Sequence, residues 1–145
     1  MTVTASVVQK SDPRNLVPAA TFEKIAAYCE RTQKITRTYA ERGLAECLAF
    51  VYLIAENPDV EITPSLAVDP FWHAFMLHSA EYAAFEREHA GGRRLTHAPH
   101  QPSDYTPEES AAALERTRAL LGRSGYQWDA EFWGGYGTCG QGNTP

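Results

Sequence analysis

Asp69-Pro70-Phe71-Trp72-His73-Ala74-Phe75-Met76-Leu77-His78-Ser79-Ala80-Glu81-Tyr82-Ala83-Ala84-Phe85-Glu86-Arg87-Glu88-His89 is the stretch whose reading decides the fold. Asp69 directly before Pro70 reads as an N-cap acceptor followed by proline at the first helical position, where a missing N–H is no loss. Beyond it, Phe71, Phe75, His78, Tyr82, Phe85 and His89 recur at alternating spacings of four and three, which is one face of an α-helix. Trp72, His73, Met76, Ala80 and Ala83 fall on another face. The pattern predicts one continuous helix from Asp69 through His89, ended by Gly91-Gly92, where glycine takes the left-handed cap conformation. With two apolar faces, this helix is expected to be the central one.

Working outward, the flanking segments are helical too. Phe22, Ile25, Ala26 and Cys29 predict a helix from Pro18 to about Thr32. A second follows Thr36, with Leu44, Cys47, Leu48, Val51, Ile54 and Ala55 as its stripe, and Asn57-Pro58-Asp59 stops it. Thr106-Pro107-Glu108-Glu109 is a capping box that opens a helix carrying Ala112, Ala113, Leu114, Leu120 and Leu121 and ending near Gly122 to Gly125. No segment sustains the two-residue alternation of a strand, and no internal repeat is visible. The expectation is an all-α chain: a single compact domain of about four helices in an orthogonal or irregular bundle. Residues 1–14 read as an N-terminal arm, 15–125 as the helical domain, and 126–145 as a flexible C-terminal segment rich in aromatics and glycine.

Composition sets further bounds. A chain of 145 residues is one domain by length, and 43% apolar with 21% charged residues is ordinary for a folded chain. A net charge of −5 argues against a nucleic-acid partner, because binding a duplex requires clustered cations. No apolar run approaches the roughly 18 residues of a membrane span, and no secretory signal is visible at Met1-Thr2-Val3-Thr4-Ala5-Ser6. Three widely spaced cysteines, Cys29, Cys47 and Cys139, read as reduced thiols of a cytoplasmic protein.

The chemistry concentrates in the histidines. All five (His73, His78, His89, His97 and His100) lie within 28 consecutive residues. Chance placement yields such clustering about once in a hundred chains, and His-rich tracts point to metal binding. There is no HExxH spacing to set two ligands on one helix face. At about 100° per residue, His73 and His78 stand about 140° apart, so a shared metal would need a π-bulge. The loop His97-Ala98-Pro99-His100 follows the glycine break and is placed to fold back over the helix toward His73 or His78.

Each of these residues also has a structural reading. Asp69 is most simply an N-cap, His78 a core imidazole bonded to a carbonyl, and His89 a surface residue suited to the helix C-terminus. His73, in the first turn, is disfavoured as an imidazolium by the helix dipole, which suits either a neutral ligand or packing beside Trp72. Cys29 and Cys47 lie on apolar faces and read as structural, whereas Cys139 sits in Gly137-Thr138-Cys139-Gly140 as an accessible thiol. Glu86, Glu88, Glu108 and Glu109 read as solvated helix surface and a helix start. Tyr126, Trp128, Phe132, Trp133 and Tyr136 either pack back across the bundle or form a contact surface for a partner. Nucleophile elbows and phosphate-cradling glycine loops are absent.

Residues Val68 to Tyr82, with Phe85, Gly91 and His97-Ala98-Pro99, resemble the helical region of glycine-rich domain-containing proteins and their small, uncharacterised bacterial relatives. The shared pattern is an Asp separated by two residues from a Trp-His pair, then a Tyr, a Phe-rich helix end, a Gly and a His-x-Pro loop. Asp69, Trp72, His73, Tyr82, Phe85, Gly91 and His97 occupy those positions. The resemblance spans about residues 16–100 and is specific only over 68–99. It implies an all-helical fold and places the emphasis on Trp72, His73, Tyr82 and His97. It implies no activity, and the long glycine-rich region that names the plant proteins is missing from this chain.

Two functional readings follow. In one, His73, His78, His97 and His100 form a metal site for zinc, iron or copper, with His73, His97 and Tyr82 as catalytic candidates acting on a small molecule. In the other, the histidines are structural and the aromatic C-terminal segment binds a protein or peptide. A metal-free variant of the first uses His73 or His97 as a general base.

Overall fold

The computed structural model describes residues 9–97 and 106–134. They form five α-helices, α1 (Ala19–Gln33), α2 (Arg37–Glu56), α3 (Asp69–Leu77), α4 (Ser79–His89) and α5 (Pro107–Arg123), with short 3-10 turns at Pro13–Leu16 and Ala130–Phe132. Among the described residues there is no strand, only an isolated bridge between Ser11 and Tyr126. The chain is an all-α bundle. The caps read from the sequence hold: Thr36 accepts from Tyr39 N–H at the start of α2, and Thr106 accepts from Glu109 N–H ahead of Pro107 in α5.

Two expectations are corrected. The central helix is α2, not the Asp69–His89 stretch. It packs against α1, α3, α4 and α5, and every residue from Gly43 to Val51 is buried. Gly43 permits this closeness: a Cβ there would stand 2.2 Å from the Phe71 ring of α3.

The Asp69–His89 stretch is also two helices, broken at His78 (φ −84°, ψ 68°). The His78 ring Nδ1 lies 2.7 Å from Ala74 O, the carbonyl a continuous helix would offer to the His78 backbone N–H. That N–H bonds Phe75 O instead, at 3.0 Å. A side chain competing for a backbone acceptor has ended α3, and because a carbonyl only accepts, Nδ1 carries the ring proton. Periodicity is kept across the break, so Phe75 still packs edge-on against Tyr82 and Phe85.

The terminal segments belong to the core as far as they are described. Ser11 N–H donates to Gly125 O and Gln127 N–H to Ser11 O, both at 2.8 Å. Pro13 and Leu16 are buried under α2. Phe132 and Trp133 are buried as well, so of the two readings of the aromatic segment, packing back across the bundle describes its part up to Trp133. Glu46 of α2 anchors it, accepting from Asp129 N–H at 2.5 Å and Trp133 Nε1–H at 3.0 Å. Ser65 Oγ–H donates to Phe132 O, Arg118 to Trp133 O, and Arg42 pairs with Asp129 and Glu131. Residues 1–8, Ala98 to Tyr105 (with His100), and 135–145 (with Tyr136 and Cys139) lie outside the described residues. Among the described residues, no helix is long and apolar enough to cross a membrane.

Candidate metal centre

The site begins at the start of α3. Ser65, not Asp69, serves that helix end: Ser65 Oγ accepts from Val68 N–H at 3.2 Å and Ser65 O from Asp69 N–H at 3.0 Å. The N-cap role assigned to Asp69 is therefore corrected: the helix starts one turn after Ser65, and the Phe71 and Trp72 N–H groups an Asp69 cap would serve donate to Val68 O, at 3.0 and 3.2 Å. The Asp69 carboxylate is left to face the residue one turn on, His73, with its charge favoured by the positive end of the helix.

His97 arrives from the opposite side on the loop after α4. Gly91 and Gly92 take positive φ, 62° and 86°, and reverse the chain. Glu86 then fixes the loop: its backbone O accepts from Gly92 N–H at 3.0 Å and its carboxylate from Leu95 N–H at 2.6 Å. Glu86 is buried, so its reading as solvated surface is corrected; its carboxylate satisfies a loop amide that water does not reach. Tyr82 Oη–H donates to Leu95 O at 2.5 Å and accepts from Trp72 Nε1–H at 3.1 Å. Burial pushes the Tyr82 phenol up to about 12, so it stays a donor. The Trp72 indole in turn packs against the His97 imidazole, centroids 4.2 Å apart and planes tilted by 38°. Trp72, Tyr82 and Glu86 thus form a chain of contacts that sets His97 against α3.

The result is a convergence of three donor groups. His97 Nε2 lies 2.9 Å from His73 Nε2 and 3.2 Å from Asp69 Oδ1, and His73 Nε2 lies 3.3 Å from Asp69 Oδ2. Asp69 Oδ1 is buried and, among the described residues, has no hydrogen-bond partner, because its contact with His97 lacks hydrogen-bond alignment. An orphaned buried carboxylate oxygen asks for a cation or a donor. Atoms bonded to a transition metal at about 2.1 Å stand about 3.0 Å apart at right angles and about 3.4 Å apart at the tetrahedral angle. The imidazole pair and each imidazole's contact with one or other Asp69 oxygen lie near that window, and one donor atom from each residue lies within 4.8 Å of the other two, so the residues present can close on an ion of this size. The His73 side chain is 53% exposed against 28% for Asp69 and 16% for His97, so the group opens to solvent on one side.

Of the residues singled out from the sequence, the structure brings His73 and His97 together and leaves His78 elsewhere. The His78 ring bonds Ala74 O and meets the edge of Tyr28. His89 is half-buried and bonds Leu16 O at 3.0 Å, so its reading as an ordinary surface residue is corrected. Cys29 and Cys47 are buried free thiols, and burial pushes the Cys29 thiol up to about 11. Asp69 was missed as a donor although its i, i+4 relation to His73 was visible. Compared with protein-family models, with curated proteins and with solved structures, the chain matches none.

Proposed function

We propose that the protein binds one divalent transition-metal ion through Asp69, His73 and His97, and that the site is of the open, reactive kind. The observation that carries this is the orphaned Asp69 Oδ1 within 3.2 Å of an imidazole nitrogen that itself faces a second one. Two imidazoles and one carboxylate suit zinc, iron(II) or copper(II). Three protein donors on an exposed rim leave positions for solvent or substrate, and a bound ion supplies Lewis acidity there. The support groups are Trp72, which holds the His97 ring, and Tyr82 with Glu86, which hold its loop. The metal-free alternative rests on the His73–His97 hydrogen bond, one imidazole donating to the other and the pair serving as a general base.

Calorimetric titration of chelator-treated protein with zinc tests the proposal. The expected result is about one equivalent bound, with affinity lowered more than about tenfold in His73→Ala, His97→Ala and Asp69→Asn and unchanged in His78→Ala. Circular dichroism checks that each variant is folded. No zinc uptake by the wild type, or an equal loss in His78→Ala, overturns it.

A further inference from the structure

Beside the three donors runs a cleft of about 470 Å³, lined from α3 and α4 on one side and the Gly92–His97 loop on the other. Its α4 wall is Ser79, Tyr82, Ala83, Glu86 and Arg87, the i, i+3, i+4, i+7, i+8 stripe of a single helix face. At 1.5 Å per residue the stripe is about 12 Å long. The loop runs along it in the opposite sense: Gly92 bonds Glu86 near one end, and His97 reaches Trp72 and the donor group at the other. His97 lines both the cleft and the donor group. The cleft therefore runs from His97, the one donor that lines it, past Met76 and Ala83, to Arg87 and Arg94.

The far end is cationic in a chain of net charge −5. Among the described residues Arg87 has no carboxylate partner, and Arg94 touches the occupied Glu86 carboxylate at only 3.6 Å. Guanidinium forks bind carboxylates bidentately, and both arginines line the cleft that His97 also lines. Resting on the metal reading above, we propose that the cleft takes a small two-headed organic anion, a short-chain dicarboxylate. One carboxylate sits at the ion held by Asp69, His73 and His97, the chain lies along Met76 and Ala83, and the other carboxylate meets Arg87 and Arg94.

The test uses glutarate, with acetate as the one-headed probe, titrated into zinc-loaded and zinc-free protein. Amide shifts of residues 83–97 and calorimetry serve as readouts. Glutarate is expected to bind zinc-loaded protein at least about tenfold more tightly than acetate does. An Arg87→Gln/Arg94→Gln double variant should lose that advantage while keeping its zinc affinity. Equal affinity for the two probes, or glutarate binding indifferent to the double variant, overturns the cleft assignment with zinc binding intact. If zinc does not bind but glutarate still shifts the cleft amides in an arginine-dependent way, the metal reading falls and the cleft stands as an anion site alone.

Discussion

The Tyr82 phenol sits between two buried groups, accepting from the Trp72 indole and donating to the Leu95 carbonyl. Tyr82→Phe removes both bonds without changing the ring that Phe75 packs against. It should cost about 1–3 kcal/mol in denaturant unfolding, because two polar groups are left buried. It should also weaken zinc binding about tenfold, because the His97 loop loses its clamp. Full zinc affinity in this variant would show that His97 is placed without it. Asp69 illustrates what a local reading misses. Its spacing from His73 is plain in the sequence, but its place before Pro70 is equally typical of a cap. Only the fold reveals that Ser65 caps Val68 and Asp69 while Val68 O takes the Phe71 and Trp72 amides, which leaves the carboxylate free.

At the scale of elements, helix starts were legible and helix rank was not. Thr36 and Thr106 announced their caps through short-range chemistry. The central position of α2 was obscured because its buried surface is built partly from Ala40, Gly43, Ala45, Ala49 and a buried Glu46, which dilute the apolar stripe. The break at His78 was invisible for a different reason: periodicity continues across it, and the cause is one ring nitrogen taking the Ala74 carbonyl. The α2–α3 contact yields a sharp expectation. Gly43→Ala should destabilise the protein by about 1–3 kcal/mol despite the better helix propensity of alanine, because the new methyl meets the Phe71 ring. Thermal unfolding measures this, and a neutral or stabilising result would mean that α3 moves aside freely.

Over the whole molecule, the joining of the two terminal segments to the bundle makes stability depend on pH. Burial raises the Glu46 carboxyl from 4.5 to about 7, against the pull of the Asp129 amide and Trp133 indole that it accepts. Between those values the folded protein holds a proton that the unfolded chain has released. Stability from this group is thus fully present below about pH 4.5 and lost as pH rises through about 7, by an amount on the order of 3 kcal/mol. Urea unfolding at a series of pH values should show that decline, and Glu46→Gln, which keeps an acceptor, should flatten it; an unchanged slope would assign the dependence to other groups. The central claim remains the ion at Asp69, His73 and His97, and anomalous diffraction from crystals grown with zinc tests it most directly. The account predicts one zinc peak within about 2.0–2.2 Å of both imidazole Nε2 atoms and a carboxylate oxygen of Asp69. A zinc peak elsewhere, or none with His73 and His97 still hydrogen-bonded to each other, would contradict it.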